Sequence, residues 1–91
     1  MKSLIIVARR WFDKKNGNTY HSVSTFVDGK RGPQQGMTYG YGSAFEDTAL
    51  ELLKQKGFLP NEEIPGLRTY LDKQGIEFNV ECINVGRKED L

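Results

Sequence analysis

Few side chains in this chain are equipped for chemistry. His21 is the sole histidine and Cys82 the sole cysteine, and the other candidates are arginines and aromatic residues. A general base needs a nucleophile or acid within reach. Ser22 adjoins His21 in sequence, but neighbours in a strand point to opposite faces, so the two do not form a catalytic pair. His21 therefore reads as a hydrogen-bonded structural histidine. Cys82 lies in an apolar run and reads as a small buried hydrophobe. One cysteine and one histidine cannot complete a four-ligand structural zinc site without carboxylates. The acid pairs Glu46-Asp47 and Glu62-Glu63 read as helix-start charges and not as a carboxylate dyad. No catalytic residue, metal ligand or cofactor is assigned.

The remaining chemistry is recognition. "ARRWF" (8–12) sets Arg9 and Arg10 beside Trp11, with the two cations sent to opposite sides of a strand. Arginine suits phosphate or acidic protein side chains. Arginine, tryptophan and tyrosine are also the types enriched at protein–protein hot spots. The candidate contact residues are Arg9, Arg10, Trp11, Tyr20, His21, Tyr39 and Tyr41. In "GMTYGYGS" (36–43), Met37, Tyr39 and Tyr41 share one parity and Gly40 and Gly42 the other. A helix packing closely on the glycine side explains the pattern. The alternative makes the tyrosines a stacking platform. "GYGSAF" (40–45) resembles a phosphate loop only loosely, since it lacks the P-loop lysine and the third glycine of a dinucleotide fingerprint. The helix start there is at most a weak anion site.

These residues need elements to hold them. Residues 3–12 read as a strand apolar on both faces, with Leu4, Ile6, Ala8 and Phe12 on one and Ile5, Val7 and Trp11 on the other. "DKKNGNT" (13–19) reads as a tight Asn16-Gly17 turn into a second strand, 19–28. "GKRGPQQG" (29–36) reads as a polar loop and 37–42 as a short strand. Helical spacing of Phe45, Ala49, Leu52 and Leu53 follows, with a Ser43/Glu46 capping box and a stop at Gly57. A shorter helix near 65–74 opens at Pro65 and ends at Gly75. "IEFNVECINV" (76–85) is the last strand, whose change of phase at Ile83 suggests a β-bulge. Its apolar content suits a place beside the first strand. The expected fold is α+β: an antiparallel sheet of about four strands, order β-β-β-α-α-β, with two helices on one face. Residues 1–86 form a single domain and 87–91 a charged tail that frays.

The 91 residues, 37% hydrophobic and 27% charged, suit one small globular core rather than a disordered chain. The net charge of +1 conceals a split. Residues 1–42 hold seven basic and two acidic groups; residues 43–91 hold six basic and ten acidic. A single cysteine suits a reducing compartment. The amino-terminal run is short and broken by two arginines, so neither a signal peptide nor a membrane span is expected. The expected location is the cytoplasm.

The set Arg9-Arg10-Trp11-Phe12, Gly17 to Val23, Asp28-Gly29, Tyr39-Gly40-Tyr41-Gly42 and Arg87-Lys88 resembles a group of small, uncharacterised tailed-bacteriophage proteins. The resemblance implies a phage-encoded protein in a bacterial host's cytoplasm, of the sort that binds a host or defence component. The leading expectation is thus a non-enzymatic, anti-defence binding protein whose partner is a host or immune-system protein. One alternative is a nucleic-acid-binding protein using a basic, aromatic sheet face. Another is an oligomer binding a small ligand or nucleotide. Self-association through an exposed edge strand fits any of the three.

Overall fold

The layout of the sheet turns on Asp28 and Gly29. Both take left-handed backbone, φ 52° and 80°, as a two-residue type I′ turn demands. Asp28 is the sole residue other than glycine with positive φ. Its carboxylate accepts the backbone N–H groups of Ser3 (2.9 Å) and Lys2 (2.6 Å), which ties the turn to the start of the first strand. Those two bonds hold the Asp28 carboxyl below its ordinary 3.8, the Ser3 bond contributing most.

The computed structural model describes residues 1–91. Its elements are β1 (Ser3–Asp13), β2 (Asn18–Val27), β3 (Lys30–Tyr39), α1 (Ala44–Gln55), α2 (Leu67–Lys73) and β4 (Glu77–Val85), followed by a 3-10 turn at Lys88–Asp90. The sheet order is β3-β2-β1-β4. The β1–β2 and β2–β3 pairs are antiparallel, whereas β4 runs parallel to β1. The sheet is therefore mostly antiparallel, and the last strand does lie beside the first. No helix is long and apolar enough to cross a membrane.

Five local expectations are corrected. The stretch 29–36 is not a loop: Gly29 closes the tight turn, and β3 begins at Lys30 with Val27 opposite it. Its glycines and proline are accommodated by register shifts between His21 and Val23 and between Ser24 and Phe26. The Asn16-Gly17 connection is a longer turn between Asp13 and Asn18, and only Gly17 has positive φ, 69°. Asp13 organises it by accepting the backbone N–H of Lys15 and both the backbone and side-chain N–H of Asn16. Ser43 stands at the N-cap of α1 without a side-chain cap bond; its carbonyl accepts the Glu46 N–H instead. Finally, β4 carries no bulge, since its pairing with β1 is unbroken from Ser3↔Glu77 to Trp11↔Val85. Pro65 also lies ahead of the N-cap Gly66, outside the first turn of α2, which begins at Leu67.

One core cluster of 13 residues explains the arrangement. From the sheet it takes Leu4, Ile6, Ala8, Val23 and Val27; from the helices Phe45, Ala49, Leu50, Leu53, Leu67 and Leu71. All these strand residues share one face, so both helices cover that face. Each large aliphatic chain so buried contributes about 1.5–3 kcal/mol. Phe78, Val80 and Cys82 continue the layer from β4, half-buried. Gly57 (φ 82°) ends α1 as its position foretells.

Candidate functional site

Alternation gives the sheet a second face, which no helix covers. Pairing across the strands sets Tyr39, Tyr20, Trp11 and Val85 in one row of that face. Trp11 stacks on Tyr20 with ring centroids 5.9 Å apart and planes at 24°. Tyr20 meets Tyr39 edge-on at 5.7 Å. Both geometries lie in the favourable range for aromatic pairs. Trp11 and Tyr20 are half-buried by each other, whereas Tyr39 is 63% exposed. The next row runs Ser22, Arg9, Ile83, and the one after it Gln34, Ser24, Val7, Glu81. Arg9 is exposed and has no ion-pair partner among the salt bridges present.

Four of the seven sequence candidates are thus brought together: Arg9, Trp11, Tyr20 and Tyr39. The other three are elsewhere. Arg10 points to the helix side, where Nε donates to Asn84 Oδ1 (3.1 Å) and Nη1 to the Gly42 carbonyl (2.9 Å). It ties β1 and β4 to the loop ahead of α1 and lines a shallow cleft with Phe12, Thr19, Gly42 and Asn84. Tyr41 is 75% exposed in that loop, off the end of β3.

His21 is only 1% exposed and faces α1. Its Nδ1 lies 3.1 Å from the Gly40 carbonyl and its Nε2 2.7 Å from Thr48 Oγ1. A carbonyl only accepts, so Nδ1 carries the hydrogen and donates it. The Thr48 hydroxyl then donates to Nε2, a shorter contact than its 3.4 Å approach to the Ala44 carbonyl. With both ring nitrogens engaged by the fold, His21 has neither a free lone pair nor access to solvent. This explains Gly40: a Cβ there would stand 2.8 Å from Ala44 Cβ and 2.9 Å from His21 Cε1. The close helix approach expected on the glycine side is present at Gly40. Gly42 serves differently, adopting φ 62° in open space.

Ile5 and Ile83, 38% and 39% exposed, and the acidic Glu77 and Glu81 also belong to the open face, though none was a sequence candidate. Their signal was present. The phase change at Ile83, taken as a bulge, marks where apolar residues of β4 pass from the helix side to the open side. The face is therefore not uniformly basic: Arg9 lies on its central strand and Glu77 and Glu81 on its β4 flank. At the chain end Leu91 is half-buried and shares a small cleft with Arg9, Ser22, Ser24, Gln34 and Gln35. The tail does not simply fray: Arg87 pairs with Asp90 at 3.3 Å. No grouping of three or more His, Cys, Asp or Glu side chains is placed to hold a metal ion.

No protein-family model, curated protein or solved structure matches the chain.

Proposed function

We propose that this protein is a non-enzymatic binding module that grips a partner protein with the open face of its sheet. The observation carrying the reading is the unbroken row Trp11–Tyr20–Tyr39, joined by ring contacts of 5.9 and 5.7 Å beside the cation of Arg9, which no salt bridge engages. Rigid aromatic rings next to arginine make effective anchors, because little side-chain freedom is lost on contact. The aliphatic surface of Ile5, Val7 and Ile83 beside them favours a protein partner. The likeness of the sequence to small tailed-phage proteins supports taking that partner to be a host or defence protein. Binding then acts by occupying the partner's surface, as an inhibitor or modulator does.

Nucleic acid is the second reading, favoured by the same stacked rings. Glu77 and Glu81 weigh against it, since their charges on the β4 flank repel a phosphate backbone laid on that side of the face. Affinity capture from host cells with wild type, Arg9→Glu, Tyr39→Ala and a helix-side control, Lys73→Ala, tests the proposal. Specific partners held by wild type and the control but lost by the two face variants support it. The same partners retained by all four proteins overturn it. Oligonucleotide binding at low ionic strength that fades steeply with added salt would transfer the face to the second reading.

A further inference from the structure

The two edges of the sheet are treated differently. The β3 edge is guarded by features that discourage another strand: Lys30, Arg31, Pro33 without an N–H, and two register shifts that bend the ladder. The β4 edge has none of these. Across Glu77–Val85 there is no proline, no lysine or arginine and no bulge, and the strand keeps one register along its whole length.

The free groups on that edge can be named. In a strand, each residue's N–H and C=O point to the same side, and successive residues alternate. The Glu77 N–H donates to the Lys2 carbonyl (3.0 Å), so Glu77, Asn79, Glu81 and Ile83 turn their backbone toward β1. Phe78, Val80 and Cys82 turn theirs outward. No strand lies on that side, and neither turn nor side-chain hydrogen bonds reach these groups. They form a row of unpaired donors and acceptors.

We infer that β4 pairs antiparallel with β4 of a second copy of this chain, with Val80 on the two-fold axis, to make one continuous sheet. Outward-pointing residues must oppose outward-pointing residues to exchange hydrogen bonds, and this placement satisfies that rule. Val80 then faces Val80 of the other copy, and Phe78 faces its Cys82, so half-buried apolar side chains meet on the helix side. On the open side Asn79 faces Glu81 of the other copy, an amide able to donate to a carboxylate. Glu77 faces Ile83. No like charges stand directly opposite; Glu81 lies only diagonal to Glu77 and Glu81 of the other copy. Moving the axis one residue to Glu81 sets two glutamates directly opposite, which is unfavourable. Moving it to Cys82 sets Val80 against the exposed Asn84 and forfeits the apolar match. The surface is thus self-complementary with Val80 on the axis, as a closed two-fold contact requires.

Sedimentation equilibrium of the full chain tests this. Wild type is expected to be a dimer. Asn79→Glu, an exposed change, sets glutamate against Glu81 of the second copy at two related places and is expected to give a monomer with unchanged circular dichroism. Adding Glu81→Lys to Asn79→Glu restores opposite charges at both places and is expected to restore the dimer. A monomeric wild type at high micromolar concentration would overturn the inference. So would a dimer indifferent to Asn79→Glu, or one not recovered by the double variant.

Discussion

The same strands build both faces of the sheet, yet the faces do opposite work. Toward the helices, Leu4, Ile6, Ala8, His21, Val23 and Thr25 are at most 1% exposed, and every buried side-chain polar atom has a partner. Away from them, Ile5, Arg9, Tyr20 and Tyr39 alternate with those residues and keep surface for contact. One side is specified by packing, where a methyl group matters. The other is specified by what it leaves uncovered. A substitution one position along a strand therefore changes which property is lost.

Stability measurements should separate the faces most clearly at Ile6. Ile6→Ala removes a fully buried side chain and is expected to cost about 2–5 kcal/mol in urea unfolding. Its neighbour change Ile5→Ala should cost far less. Equal costs would mean that the open face is packed in solution. The polar part of the covered side comes next. His21→Leu leaves the Gly40 carbonyl and the Thr48 hydroxyl without their partner, at about 2–4 kcal/mol. If instead that variant kept its stability and lost partner binding, the division between the faces would fail at His21.

On the open side the order of effects reverses. Trp11→Ala is expected to cost about 1–2 kcal/mol of stability through its stacking on Tyr20, and Tyr39→Ala about 0.5–1 kcal/mol. Both should weaken partner binding tenfold or more in titration calorimetry. The smallest effect belongs to Asp28, at the turn that joins the strands of both faces. Its carboxyl is lowered in the fold, so its contribution is complete above the ordinary value of 3.8. The contribution is lost as pH falls through the lowered folded value. Thermal melts from pH 7 to pH 2 should show wild type losing its advantage over Asp28→Asn below that point. Parallel melting curves throughout would remove Asp28 from the account.

Much of the covered face was legible in the sequence because burial imposes a period. Leu4, Ile6 and Ala8 at spacing two and Phe45, Ala49, Leu52 and Leu53 at helical spacing mark what must be inside. The start of β3 was not legible in the same way. Three glycines and a proline between 29 and 36 carry loop propensity, and only pairing with β2 makes them a strand. The better guide was Asp28-Gly29, which competes with Asn16-Gly17 as a two-residue turn and takes that role through the bonds of Asp28 to Ser3 and Lys2. The candidate site was legible by residue type but not by side. Trp11, Tyr20 and Tyr39 come together because strand register aligns them, while Arg10 and His21, one residue away from Arg9 and Tyr20, fall behind the sheet. Parity separated these pairs, but not which parity the helices would cover.

The parallel placement of β4 against β1 has a bearing on how the molecule is made. The hairpins joining β1, β2 and β3 are local, and closing them needs only short loops. β4 is the last strand of the chain, and two helices intervene before it can reach β1. During synthesis β1 therefore waits with one side open until residues 77–85 have left the ribosome. Completion of the sheet is expected to be the late step of folding. A ribosome stalled before Glu77 should display a nascent chain whose hairpins are formed but whose first strand is still available to a chaperone.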